Sequence, residues 1–478
     1  MANDLKFKTK IGLYWKFIEQ FSNYGMQFVI GIIMARLLDP SDFGTAALPA
    51  VFIAIAQVFI DSGFALALIR KNDVSEQDLS TSFYYSLLVG IILYILLFLC
   101  APIIARFYDT PILTPLIRVS TLTFIWNALL TPQSVILNRK LDFKTPAKIS
   151  IISRIMSGLL GISVAYLGYG IWSLVVASLS ASIITLLLTW VSIRWFPTER
   201  WSKESFSYLW YFGNKMIGAR ILSTLYANIV PVLLGKFSGT AQLGVYNRSS
   251  QFASLPSSNF TGIINTVTYP VLSKMQDDIE RLRVNYAKMI KASSFVVFPI
   301  MLLMSALAEP LILTLITEKW RECIPILQIM CFTYMFQPVH NLNTNLLQVL
   351  GRPDLTLKLE VISKCIFPLF IILAIQRGLI VLCVVDFFIT MVALVLNTHF
   401  TGKLIGLGYF KQIKMLLPSL LLSLLMMALV VFVTSYLSNN IVKLIVGGFV
   451  GLVFYYVAAY FLRFDELDDV KYMLKRDN

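Results

Sequence analysis

The chain has 478 residues, 57% of them hydrophobic and only 14% charged, with a formal net charge of +14 and a mean hydropathy of +0.75. Soluble proteins carry about 25% charged residues, so this composition leaves no room for a soluble domain. The positive excess then reads as basic loops on one side of a bilayer, not as a nucleic-acid surface.

Apolar runs long enough to cross a membrane as helix recur from end to end. They predict an all-α polytopic protein with about fourteen spans: 12–34, 44–69, 82–102, 115–138, 149–167, 171–193, 208–235, 243–270, 292–315, 324–349, 358–376, 379–402, 414–437 and 441–462. The first residues, MANDLKFKTK, lead into span one without an A-x-A-like site, so no removed signal is expected. Sorting the connections gives 26 basic residues on one side and 7 on the other. The positive-inside rule puts the richer set, with both termini, in the cytoplasm.

The stretch 35–71 opens with a short polar loop, and 235–274 repeats it: Arg36 falls on Lys236, Gly44 on Gly244, Gln57 on Ser257 and Asp61 on Thr261. In span four Asn127, Thr131, Ser134 and Asn138 lie on one helical face, and Gln337, Asn341, Thr344 and Gln348 follow 210 residues later in span ten. Pro102 matches Pro310, and Arg154 matches Lys364. Spans 1–6 and 7–12 are thus two copies of one unit, related by an axis along the membrane normal because six is even. The expected domains are 1–203 and 204–403 as two six-helix lobes, with 404–478 (spans 13 and 14 and a tail) appended.

Polar stripes on membrane helices face protein or water, because lipid cannot satisfy them. Span one offers Lys16, Glu19, Gln20, Asn23 and Gln27; span seven Arg220, Thr224 and Asn228; span eight Asn247, Gln251, Ser254, Ser258, Thr261 and Asn265. Two readings fit: helix glue at about 1 kcal/mol or less per residue, or a wet cavity between two bundles. Five stripes, two of them repeat-related, favour the cavity. Its expected polar lining is Gln20, Asn23, Asn127, Asn138, Asn247, Gln251, Asn341, Asn345 and Gln348. Embedded cations outnumber anions, which points to an anionic cargo, with Arg36, Arg154, Lys215, Arg220, Lys236, Arg248 and Lys364 as candidates to hold phosphate. Arg36, Lys16 and Lys215 also lie close enough to span ends to snorkel. Glu19, Asp61 and Asp386 are the candidates for ion coupling; Glu19 has Lys16 one turn away, whereas Asp61 has no near partner in sequence and leads the three. Pro231, Pro256, Pro270, Pro299 and Pro338 are expected to kink or break helices.

No GxxxxGK[ST] occurs, so ATP is not expected as the direct energy source. Five cysteines without CxxC spacing and two histidines suggest no disulfide framework and no metal centre. Neither catalytic residues nor a cofactor are expected.

The segments ARLLDPSDFG (35–44), FIDSGFALALIRK (59–71), NRKLDFKTPAKIS (138–150), LGYGIWSLV (167–175), LGVYNRSSQFASLPSSN (243–259), VTYPVLSKMQDD (267–278), LAEPLILTLITEKW (307–320) and NTHFTGKLIGLGYF (397–410) resemble the polysaccharide flippases of the Wzx type. The branch they look most like is that of the colanic-acid and teichuronic-acid exporters, in the superfamily that also holds multidrug-and-toxin extruders and the lipid II flippase. The resemblance covers spans 1–12 in order. It implies a bacterial inner-membrane protein that turns an undecaprenyl-pyrophosphate-linked oligosaccharide to the outer leaflet by alternating access. It also implies a cationic cavity, coupling to H+ or Na+, and polysaccharide assembly proteins as partners. A drug-cation antiporter on the same fold is the rival, and it would want carboxylates where this chain has cations.

Overall fold

The computed structural model describes residues 2–61 and 64–467; within them the side chains of residues 2–10, 13, 61, 212, 215, 216, 219, 263, 265–267 and 270 lie outside the description. The described chain is helical. In order come α1 (Ala2–Leu37), α2 (Pro40–Asp61), α3 (Phe64–Arg70), α4 (Glu76–Phe107), α5 (Leu113–Ser120), α6 (Thr123–Arg139), α7 (Lys144–Tyr166), α8 (Trp172–Ile193), α9 (Lys203–Ala227) and α10 (Ile229–Phe237). Then follow α11 (Gly239–Ser273), α12 (Ile279–Ala306), α13 (Ala308–Leu315), a 3-10 turn (Glu318–Trp320), α14 (Cys323–Tyr334), α15 (Gln337–Val349), α16 (Pro353–Ile375), α17 (Leu379–Ile405), α18 (Tyr409–Ser435) and α19 (Asn440–Phe461). The apolar runs read from sequence fall in this order on single helices or on consecutive pairs.

Nine rods among the described residues, counting α2–α3 and α5–α6 as one each, are long and apolar enough to cross a bilayer. The large exposed side chains fit a lipid solvent: Leu99 and Ile103 on α4 are each 67% exposed, and Phe449 on α19 is 70% exposed. Water would not tolerate so extensive an apolar surface. This is a multi-pass membrane protein.

Two compact units divide the chain, residues 1–244 and 245–478. The division falls later than the boundary expected at 203/204, and α9 packs on α2, α3 and α4.

In the first unit, Phe64, Leu68, Leu79, Val135 and Leu209 form a core shared by α3, α4, α6 and α9, with the Phe64 and Tyr85 rings stacked at 4.3 Å. The basic loop after α3 is tied from both sides. Ser75 caps α4 by accepting from the Asp78 amide, and Asp78 accepts from the Ser75 amide in return. Lys71 Nζ then reaches the Asp78 carboxylate at 2.7 Å, and Arg139 donates to the carbonyls of Leu68, Lys71 and Asn72. Small residues let helices close up: Gly161 of α7 meets Ala177 of α8, and Gly158 meets Ile30 of α1. Gly44 and the start of α11 come closer still. A Cβ on Gly44 would strike the Thr240 carbonyl and the Gly244 amide, and one on Gly244 would strike the Pro40 carbonyl. The two glycines aligned by the repeat are thus packed backbone to backbone.

In the second unit α12 packs against α14 and α18, and the appended pair α18–α19 docks on it. Phe295, Leu307, Met426, Val430 and Tyr455 share one core, and Tyr455 donates its hydroxyl to the Phe295 carbonyl at 2.9 Å. Gly447 and Gly451 of α19 admit Leu307, Leu303 and Val430. Asn343, Thr401 and Gln412 close a buried amide–hydroxyl network across α15, α17 and α18: Thr401 donates to Asn343 Oδ1 at 2.7 Å, and the Asn343 and Gln412 amides exchange bonds at 3.0 Å. Such a group of polar atoms is tolerated only when every member is satisfied.

Prolines act according to register. Pro338 opens α15 and Pro231 lies in the first turn of α10, where a missing amide is harmless. Pro256 and Pro299 lie inside α11 and α12, which continue past them. The matched pair Pro102 and Pro310 diverges: α4 runs through Pro102, whereas α12 ends at Ala306 before Pro310.

Candidate functional site

Polar side chains in the first unit knit α1 to α7 and α2 to α6. Asn23 Nδ2 donates to Ser150 Oγ at 2.8 Å, and Asn127 Nδ2 donates to Gln57 Oε1 at 3.1 Å. Arg154 lies one turn beyond Ser150 and one turn before Gly158 on α7. Those neighbours face α1, so the same side carries the guanidinium. It is exposed and has no ion pair among the described residues. Gln20 and Asn138 are exposed as well, the latter donating to the Ser134 carbonyl at 2.8 Å. Glu19 is engaged by Lys16 at 2.9 Å.

The remaining cations of this unit differ in kind. Lys236 is paired with Asp109 at 3.0 Å and sits over the Phe107 ring, so its charge is answered locally. Arg36 is exposed at the end of α1 and engaged there, and Arg220 is exposed on α9. Lys215 and Asp61, whose backbones lie in α9 and α2, have side chains outside the described residues.

In the second unit the α11 stripe turns toward α14 and α15. Ser250 Oγ and the Tyr334 hydroxyl are 2.8 Å apart, and Ser257 Oγ is within reach of the Tyr334 carbonyl at 2.7 Å and Gln337 Oε1 at 3.2 Å. Arg248 is 6% exposed. It donates Nη1 to Gln251 Oε1 at 2.7 Å and lies over the Trp320 ring at 5.6 Å, the stacking and hydrogen bonding that suit a planar, weakly hydrated cation. Thr261 is buried and Asn247 half-buried.

On α15, Asn341 donates to the Gln337 carbonyl at 3.0 Å, Asn345 is half-buried and engaged, and Gln348 is exposed. His340 is held between the Thr390 carbonyl at 3.1 Å and the Asn397 amide at 3.0 Å. Lys364 of α16 is only 17% exposed and is bridged by Glu360 at 2.9 Å. Asp386 of α17 is half-buried, within electrostatic range of Tyr246 and Tyr334.

Several of these partners escape a reading by charge and repeat alone. Glu360 is readable, standing four residues before Lys364. Trp320, Tyr334 and Asn397 are distant in sequence from what they touch, so no local spacing announces them.

Residues 33–325 match the family model described as "Polysaccharide biosynthesis protein". The chain belongs to that family. This polysaccharide biosynthesis family member is 26% identical over 370 residues to the teichuronic acid biosynthesis protein TuaB of Bacillus subtilis (strain 168), covering 77% of this chain and 76% of the relative. It is likewise 26% identical over 369 residues to the lipopolysaccharide biosynthesis protein WzxC of Escherichia coli (strain K12), covering 76% and 74%. Among solved structures its fold is similar to the lipid II flippase MurJ in an inward closed conformation, with a TM-score of 0.75 and 17% identity over 94% of this chain and 99% of that one.

Proposed function

We propose that this family member is a flippase that moves an undecaprenyl-pyrophosphate-linked oligosaccharide from the cytoplasmic to the outer leaflet of the bacterial inner membrane, by alternating access of two repeat lobes and without chemical turnover. The working lobes are 1–203 and 204–403, with 404–478 appended, fourteen crossings and both termini in the cytoplasm. An anionic head group cannot enter hydrocarbon unaided, because burying unpaired charge is prohibitive. A polar, cationic route lowers that barrier.

The observation carrying the proposal is the repeat-equivalent pair Arg154 and Lys364, cations placed at matching positions of helices that lie in an apolar chain. Arg154 and Arg220 are exposed for a phosphate to meet, and Arg248 is fixed by Gln251 and Trp320 as a preorganised positive charge. The exposed and half-buried amides Gln20, Asn247, Asn341 and Gln348 meet the sugar. Asp386 is the described carboxylate best placed for H+ or Na+ coupling, with Asp61 as its first-half alternative. Names of the relatives, which speak of teichuronic acid and lipopolysaccharide biosynthesis, support the substrate class.

The test is a strain lacking the protein. It should accumulate a polyprenyl-pyrophosphate-linked oligosaccharide in the cytoplasmic leaflet and recover when the gene is restored. Unchanged lipid-linked sugars with undiminished polymer would refute the proposal.

A further inference from the structure

A cavity of about 550 Å3 lies where α12, α18 and the residues after α19 meet in the second unit, and none of the residues assigned above to the cargo lines it. Its charged lining is Lys291, Lys411, Lys414 and Arg463 against Asp465 and Glu466. Cations outnumber carboxylates two to one, and the carboxylates are not evenly shared. Glu466 is buried and faces Lys291 at a loose 3.8 Å, whereas Lys414 and Arg463 have no ion pair among the described residues. Lys411 is anchored by donating to the Gly406 carbonyl at 2.9 Å. Arg463 is held at a φ of +54°, a left-handed conformation that non-glycine residues rarely adopt without surrounding constraint.

Apart from Ser419, the rest of the lining is apolar: Met415, Pro418, Leu462 and Phe464. Lys414, Pro418, Leu421, Leu425 and Phe432 follow one face of α18 at helical spacing. Leu421 is 51% exposed and Leu425 and Phe432 are 61% exposed. The positive pocket therefore sits at the foot of an apolar row. A soluble phosphate would use the first feature and leave the second without purpose. All four cations belong to the basic set that the positive-inside rule assigns to the cytoplasmic leaflet, where anionic lipids present their phosphates.

We propose that this pocket binds the head group of an anionic glycerophospholipid, with the phosphate held by Lys414 and Arg463 and an acyl chain lying along Leu421 and Leu425. The bound lipid ties the appended pair α18–α19 to the membrane surface.

The purified full chain in neutral detergent is titrated with phosphatidylglycerol, phosphatidylcholine and inorganic phosphate, and the bound species are counted by native mass spectrometry. Phosphatidylglycerol should bind in preference to phosphatidylcholine, and inorganic phosphate should not displace it. The Lys414→Gln/Arg463→Gln variant should bind phosphatidylglycerol about tenfold more weakly. The charge-preserving Lys414→Arg/Arg463→Lys variant should bind within about twofold of wild type, which separates lost charge from lost folding. Equal retention of both lipids, full binding by the glutamine variant, or displacement by inorganic phosphate would each overturn the proposal.

Discussion

Asn127 of α6 donates to Gln57 of α2 at 3.1 Å, and the positions that match them in the second unit are also bonded, with the donor on the other rod: Ser257 of α11 donates to Gln337 of α15 at 3.2 Å. The residue types changed between the halves, but one polar link between the second and fourth rods of each repeat persists. In lipid a lone amide on either helix would be left without a partner, so the link resists loss from one side only.

The link should be measurable. A double-mutant cycle with Gln57→Ala and Asn127→Ala, followed by unfolding of the purified protein, should give a coupling of about 0.6 kcal/mol and no more than about 2. The Ser257→Ala and Gln337→Ala cycle should carry the same sign.

Gly44 tests the backbone contact with Thr240 and Gly244. Gly44→Ala should cost roughly 1–3 kcal/mol by forcing the chains apart, whereas Gly448→Ala, where an added Cβ meets nothing within 4 Å, should not destabilise. Thermal unfolding of both variants in the same detergent decides it.

The appended pair should depend on its docking to α12. Tyr455→Phe removes the bond to the Phe295 carbonyl and should cost about 1 kcal/mol. Gly451→Val inserts bulk against Leu303 and Val430 and should cost more, roughly 1–3 kcal/mol. Limited proteolysis of the 436–439 turn should accelerate in that same order.

How far the sequence discloses all this depends on the kind of contact. Helix order is plain because a bilayer demands about 20 apolar residues per crossing, and the stripes on α6 and α11 are plain because polar spacing of 3 and 4 has one structural meaning there. Helix breaks are not. At the break between α5 and α6 hydroxyls bond back to carbonyls, Thr121 to Ile117 at 2.8 Å and Thr123 to Ser120 at 2.9 Å, but Ser and Thr do this in many unbroken helices too, so these residues do not announce it. For the site residues the sequence supplies the charge but not its use. Arg248 and Lys236 look alike on a list of embedded cations, yet one is buried over Trp320 and the other answers Asp109.

Arg248 separates charge from packing. Burying a cation is costly, so Arg248→Met should remain within about 1 kcal/mol of wild-type stability. A loss of flipping in that variant would then report the missing positive charge. Thermal unfolding and complementation of the deletion strain, run side by side, check both halves of this expectation.

The most direct measurement concerns Arg154 and Lys364 together. Inner-membrane vesicles of known orientation, loaded on the cytoplasmic leaflet with the lipid-linked oligosaccharide, are challenged with a membrane-impermeant glycosidase confined to the opposite side. With the wild-type protein the sugar should become cleavable. With Arg154→Ala/Lys364→Ala, present at equal amount and equal thermal stability, it should stay protected. Cleavage by the double variant at the wild-type rate would contradict the account.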